Sequence, residues 1–339
     1  MIRMKKLLAK VLASVLIFSC VGCGDSSGKE SAAEDNEALT VIGFSQPGAE
    51  SAWRVALTDS VQEAFSEDRG YKLIYKDGQS KQDNQIRDIR TFIQQGVDYI
   101  ILSPIVESGW DTVLSEAKQA GIPVIICDRN VVVSNESLYT AFVGSDFKSE
   151  GEKAVAYLQE MYEVDEAGNL PEVNIVHIQG TIGSSAQIGR SNALIKACEY
   201  NSNCHIIVDE CGEFTKAKAR EIMDNTLQEI NSDSIDVLYC ENDEMAMGAI
   251  AALNEAGIAY GNGNDITVIS FDGSVGTLQL CQNGQIDLVV ECNPLQGPYL
   301  LNIVEMLNSG KTVPKITYVD EKYFTKDDLS EEYIKSKKY

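Results

Sequence analysis

The chain has 339 residues, with 51 acidic side chains against 28 basic ones and a formal net charge of −23. That balance argues against nucleic acid as a partner and against docking on anionic lipid by charge, both of which need a basic surface. It is compatible with a soluble body outside the cell.

The chain starts with Arg3, Lys5 and Lys6, and Leu7 to Val21 is a mostly apolar run broken only by Lys10. The run is too short and too marked for a membrane span and reads as an export signal. It closes on Cys20-Val21-Gly22-Cys23. A small residue directly before a cysteine at this place resembles the lipobox of bacterial lipoproteins. The resemblance implies that residues 1–22 are a signal peptide and that Cys23 is the lipidated anchor to the membrane. Cys20 fits less well, because Phe18 stands two residues before it. Residues 24–37 have almost no apolar content, so 23–37 is expected to be a flexible tether.

From Leu39 onward, apolar runs of strand length alternate with amphipathic stretches. The first set of runs is Leu39-Phe44, Leu73-Tyr75, Tyr99-Leu102, Val124-Cys127 and Tyr139-Val143. A second set is Val173-Ile178, His205-Val208, Val237-Cys240, Ile266-Phe271 and Leu288-Cys292. Gly96, Gly121 and Gly257 follow helical stretches as stops. Strands apolar throughout and separated by helices mean parallel sheets covered on both faces. The expected fold is therefore α/β, with two doubly wound lobes of about five strands each.

Ligands of such sheets bind beyond the carboxyl ends of the strands. After the first strand stand Ser45 and Gln46, then Glu50-Ser51-Ala52-Trp53-Arg54. Later strand ends carry Asp128-Arg129, Asn242 and Asp272, while Arg190 lies in the helix after Gln179-Gly180-Thr181. The last strand of the second set runs out through Glu291 and Asn293. Carboxylates that accept, Arg and Asn that donate, and an indole for the apolar face of a ring are what a sugar needs. Each of these residues taken singly reads as a cap, a turn or a solvated charge. Their recurrence at successive strand ends is what points to a polyol site.

Gly43-Phe44-Ser45-Gln46, Glu50 to Arg54, Asp77 to Gln82, Gln94 to Asp98, Asp128-Arg129, Asn242-Asp243 and Asp272-Gly273 together resemble the type I periplasmic-binding-protein-like sugar-binding family of ABC importers, in its ribose- and galactose-binding branch. The resemblance runs from about Leu39 to the C-terminus, and is nearest to galactofuranose-binding members. It implies two Rossmann-like lobes joined by a hinge, residues 38–146 with about 293–318 and residues 147–292 with about 319–339. It also implies an extracytoplasmic, monomeric carrier of a galactofuranose- or galactose-like hexose or a pentose, with no cofactor, that delivers its sugar to permease subunits. Glu50, Ser51, Ala52, Trp53, Arg54, Asp128 and Arg129 match contacts from one lobe, and Arg190, Asn242 and Asp272 match contacts from the other. Ser45, Gln46, Glu291 and Asn293 fall near further contacts. Ala52 stands where glycine is usual.

Two other classes use the same residues. A sensory input protein has the same cleft and differs only in its partner. A glycosidase pairing Glu50 with Asp128 is disfavoured, because Arg54 and Arg129 beside them hold carboxylates ionised. The turn from Gln179 to Ser185 lacks the lysine of a phosphate loop. His177 and His205 fall inside strands and are expected to be core residues. Of the cysteines beyond the signal, Cys198 and Cys204 can pair across a helix-to-strand turn, and the rest are expected to be reduced.

Overall fold

Runs that are apolar throughout form strands buried on both faces. The computed structural model describes residues 38–49, 51–162, 171–263 and 266–339 and gathers these strands into two sheets. The first takes β1 (Thr40–Gln46), β2 (Tyr71–Asp77), β3 (Tyr99–Leu102), β4 (Val124–Asp128) and β5 (Ala141–Gly144). Helices α1 (Ala52–Ala64), α2 (Gln82–Gln95) and α3 (Asp111–Gln119) lie between these strands. The second sheet takes β6 (Val173–Gln179), β7 (Cys204–Cys211), β8 (Val237–Cys240), β9 (Thr267–Asp272) and β10 (Leu288–Glu291). Its helices are α4 (Phe147–Met161), α5 (Ser185–Tyr200), α6 (Lys216–Glu229), α7 (Asp243–Ala256) and α8 (Val275–Gln282).

The C-terminal segment adds α9 (Gly297–Asn308), β11 (Ile316–Tyr318), β12 (Tyr323–Phe324) and α10 (Glu331–Ser336). Each sheet is therefore six-stranded, one strand more than the apolar runs indicate. The strand orders are β11-β5-β4-β3-β1-β2 and β12-β10-β9-β8-β6-β7. Replacing β1 by β6, and so on through β5 by β10, converts one order into the other. All pairings are parallel except β10 with β12. The parallel strands of a sheet thus end on one edge, and the residues after them collect there.

β3, β4, β8, β9 and β10 are buried along their whole length, while the edge strands β2 and β7 are partly exposed. Gly96 and Gly257 end α2 and α7 in the left-handed conformation, at φ 66° and 70°, as helix stops require. The chain passes between the sheets after β5, after β10 and between β11 and β12. One apolar cluster extends from Ile42 and Leu57 through Phe147 and Cys292 to Val176 and Leu253, so it is continuous across these passages.

Cys198 and Cys204 form a disulfide between the end of α5 and the start of β7. Cys127, Cys240, Cys281 and Cys292 are free and buried, and Cys211 is free and half-buried. Cys20 and Cys23 lie outside the described residues. His205 departs from expectation: on the edge strand β7 its side chain is 43% exposed, 3.3 Å from Glu172.

His177 is fully buried in β6, between Asp209 (Nδ1 to Oδ1, 2.9 Å) and Glu241 (Nε2 to Oε1, 3.1 Å). Burial opposes its charge, but the carboxylates of Asp209 and Glu241 outweigh burial and push the imidazole up to about 9. A pKa raised on folding stabilises fully below the unfolded value near 6.5, and the contribution is lost as pH rises through the folded value. At about 1.4 kcal/mol per unit, discounted for the half-exposed Asp209, the imidazolium contributes roughly 2 kcal/mol. His177→Gln is expected to lower unfolding free energy by about that amount at pH 6 and by much less at pH 10. Denaturant titrations at the two pH values check this, and a pH-independent deficit contradicts it.

Candidate functional site

Ser51 caps α1 by accepting the Arg54 N–H at 3.2 Å, and the first turn of the helix then presents Trp53 and Arg54. The indole N–H of Trp53 donates to the Cys292 carbonyl at 2.6 Å, so the ring is tied to the far end of the second sheet. Arg54 lies over that ring, its Cζ 4.7 Å from the centroid, and pairs with Asp128 Oδ2. Ser103 donates to the same oxygen at 3.2 Å, and Arg129 Nε lies 4.0 Å from it. Asp128 ends β4 at φ 63°, a left-handed conformation in which Asp is among the tolerated residues. The buried Gln296 fixes it there by accepting the Asp128 N–H at 3.0 Å.

The second sheet repeats this arrangement. Arg190 lies on α5, the helix after β6, as Arg54 lies on the helix after β1. Its Nε donates to Glu150 Oε2 at 2.7 Å, its Nη1 to the Glu241 carbonyl, and its Nη2 reaches Asp272 Oδ1 at 3.5 Å. Asp272 ends β9, the counterpart of β4, at φ 93°. Burial raises its carboxyl, against the lowering pull of Arg190. Burial likewise disfavours the Arg190 charge, yet Glu150, Cys292 and Asp272 override it and hold the guanidinium well above its ordinary value. Asn242 both caps α7, accepting the Met245 N–H at 2.9 Å, and donates to the Phe214 carbonyl at 3.3 Å.

These groups line one small void between the two sheets. Ser51, Trp53, Arg54, Asp128 and Arg129 bound it on one side and Arg190, Asn242 and Asp272 on the other. Asp128 Oδ1 and Asp272 Oδ2 accept no hydrogen bond among the described residues. Two charge pairs therefore leave one carboxylate oxygen each for an incoming donor.

Phe147, Phe214, Ala186 and Cys292 also line the void, and the strand-end reading did not include them. Phe214 stacks with Arg129 from the opposite sheet, 5.1 Å from Cζ to ring centroid. Its ring occupies the space a side chain at position 180 would need: a Cβ on Gly180 would lie 1.9 Å from it. The Gly180 N–H donates to Glu241 at 2.7 Å, so the first amide of the glycine-rich turn is taken by a carboxylate, which disfavours a phosphate there. Phe214 was within reach of the strand-end rule, since it follows β7, but Asp209 and Glu210 disguise the last residues of that strand.

Ser45, Gln46, Ala52, Glu291 and Asn293 are not part of the lining. Ser45 donates to Asp88 at 3.0 Å and Gln46 to the Arg54 carbonyl at 3.2 Å, both within the first sheet's scaffold. Ala52 is exposed on the outer side of the first helical turn. Glu291 accepts from the Lys322 N–H at 3.0 Å and pairs with Lys337, and Asn293 caps the turn at Leu295. These residues hold the crossings between sheets. Glu50 lies outside the described residues.

Glu150, Cys292 and Glu321 are the cluster of metal-ligand type among the described residues. Arg190 already neutralises Glu150, and burial with the Glu150 charge raises Glu321 to about 9, so that acid stays protonated near neutral pH. The set reads as a buried acid pair at a crossing.

The periplasmic binding protein domain model matches residues 42–312. The galactofuranose-binding protein YtfQ of Escherichia coli (strain K12) is 37% identical over 298 residues, which cover 87% of this chain and 91% of that protein. The periplasmic binding protein component of the arabinose ABC transporter from Shewanella sp. ANA-3, bound to α- and β-L-arabinofuranose, superposes with a TM-score of 0.78 at 37% identity, covering 87% of this chain and 95% of that one. A Mycobacterium smegmatis protein in complex with β-D-fucofuranose gives a TM-score of 0.78 at 37% identity, covering 86% and 92% of the two chains. The chain belongs to the periplasmic binding protein domain family, with its type I fold, and is a binding protein rather than an enzyme.

Proposed function

We propose that the protein binds one furanose-ring sugar between its two sheets and delivers it to an ABC permease from outside the cytoplasm. The observation that carries the reading is the pair of carboxylates, one from each sheet, that line a single void and each keep an oxygen without a donor. A sugar hydroxyl donates to that oxygen and accepts from the neighbouring guanidinium, so one OH group satisfies both partners of a pair. Trp53, Phe147 and Phe214 offer apolar planes for the C–H edges of the ring. The relatives named above bind galactofuranose, arabinofuranose and fucofuranose, which favours the five-membered ring form.

In this reading residues 38–146 with about 293–318 form one lobe and 147–292 with about 319–339 the other, hinged where the chain crosses. The sugar enters an open cleft, its hydroxyls draw in groups from both lobes, and the closed form is what the permease meets. Attachment through lipidated Cys23 keeps the carrier near its importer. Among the described residues no helix is long and apolar enough to cross a membrane.

Asp128→Asn and Asp272→Asn keep shape and remove charge. Each is expected to weaken sugar binding by roughly 10- to 100-fold, the range for a lost hydrogen bond to a charged group. Calorimetry with the sugar chosen by a thermal-shift screen over pentoses and hexoses measures this, and unchanged affinity in both variants removes the assignment. Trp53→Ala lowers affinity further, and, because the indole N–H holds Cys292, it also lowers the unfolding temperature. Trp53→Phe separates the two effects by retaining a ring without the N–H. Cys23→Ser is expected to shift the protein from the membrane fraction to the soluble one, and continued membrane retention overturns the anchor.

A further inference from the structure

A second void lies against the first and shares Arg129 with it. It is the roomier of the two. Pro47, Ser80 and Ile105 bound it from the first sheet's side, and Thr181, Ile182 and Thr215 from the second's. Like the inner void, then, it is walled by both halves of the molecule.

The walls alternate hydroxyls with apolar surface. Ser80 and Thr181 each offer a donor and an acceptor, Thr215, which donates to the Gly212 carbonyl, offers an acceptor, and Pro47, Ile105 and Ile182 offer apolar contact. Ile182 is 55% exposed, a large aliphatic side chain left in water beside a cleft. Among the described lining residues Arg129 is the one cation and Glu213 the one anion, so the void favours a neutral guest over a phosphorylated one. Arg129 is already engaged, donating to the Ile105 carbonyl at 3.2 Å and stacking on Phe214.

The loops that bring these residues in are strained at matching places. Gln79 and Ser80, after β2, have φ 50° and 54°, and Glu213 and Phe214, after β7, have φ 52° and 60°. Consecutive non-glycine residues in the left-handed region are unfavourable and persist where the surroundings fix them, commonly at ligand clamps. The second pair places Phe214 in the inner void's wall and Glu213 in the outer one's. Arg129, which lines both voids, is the side chain that stands between them.

We propose that the outer void is a second sugar subsite, and that the ligand class extends to short furanose-ended saccharides, with the next residue seated against Pro47 and Ile182. This deepens the furanose reading of the inner void and rests on it. The test is isothermal titration of the mature chain with methyl α-L-arabinofuranoside, methyl β-D-galactofuranoside, α-1,5-arabinofuranobiose and β-1,5-galactofuranobiose, the methyl glycosides holding the single sugar in the furanose form so that ring form is the same in both arms. The expected result is that a disaccharide binds about tenfold more tightly than its methyl furanoside, equivalent to roughly 1.4 kcal/mol. Ile182→Trp, which fills the outer void from an exposed position, is expected to abolish that advantage and leave methyl furanoside affinity unchanged. A methyl furanoside that binds while its disaccharide binds no more tightly overturns the subsite and leaves the furanose reading standing. A disaccharide advantage that survives Ile182→Trp also overturns it. If none of the four sugars binds, the furanose reading itself falls, and the subsite with it.

Discussion

A guanidinium taken out of water is tolerated only beside a carboxylate, and the space between the two sheets is built on two such pairs. Arg54 with Asp128 and Arg190 with Asp272 are all nearly fully buried. Removing two charges from water costs several kcal/mol per ion, so neither pair is explained by stability alone. The scaffold is arranged to hold them nonetheless. Gln296 fixes the Asp128 backbone, Glu150 takes the Arg190 Nε, and Trp53 bridges to Cys292 across the sheets. The crossings carry side chains that also set the site.

The two pairs occupy equivalent places. Each arginine stands on the helix after the first strand of its sheet, and each aspartate ends the fourth strand with a positive φ. An L-residue in that conformation turns its chain sharply out of the strand, and the cost is accepted because the carboxylate then lies at the carboxyl edge. The repetition makes the void two-sided, so a ligand contacts both halves or satisfies neither.

Much of this was legible before any coordinates. Trp53, Arg54, Asp128, Arg129, Asn242 and Asp272 could be named because each follows a run apolar enough to be a buried strand, and Arg190 because it lies in the helix that follows such an end. Phe214 was missed where the logic should have caught it, because β7 is an edge strand and its polar end does not read as strand. Phe147 was missed because its place depends on where the chain crosses between sheets, which no local pattern encodes. Glu291 stands apart from the void's lining: its partners Lys337 and Tyr339 lie at the far C-terminus, and only tertiary structure shows them. β11 and β12 were invisible for the same reason, being three and two residues long and held as strands by the sheet edges they meet.

The mutual pairing also bears on selectivity. The arginines are held by carboxylates and carbonyls of the protein itself, so a ligand gains only what its hydroxyls add to groups partly satisfied. Net affinity is then a small difference, sensitive to any hydroxyl that fails to reach the remaining oxygen of Asp128 or Asp272. A buried acceptor left without a donor costs about 1–3 kcal/mol, which is enough to separate epimers or ring forms by one or two orders of magnitude. Selectivity in such a site comes from groups that a wrong sugar leaves unpaired more than from the strength of contacts to the right one. Gly180 acts on the same quantity from behind: by giving the Phe214 ring its place, it fixes the wall that decides which hydroxyl can approach.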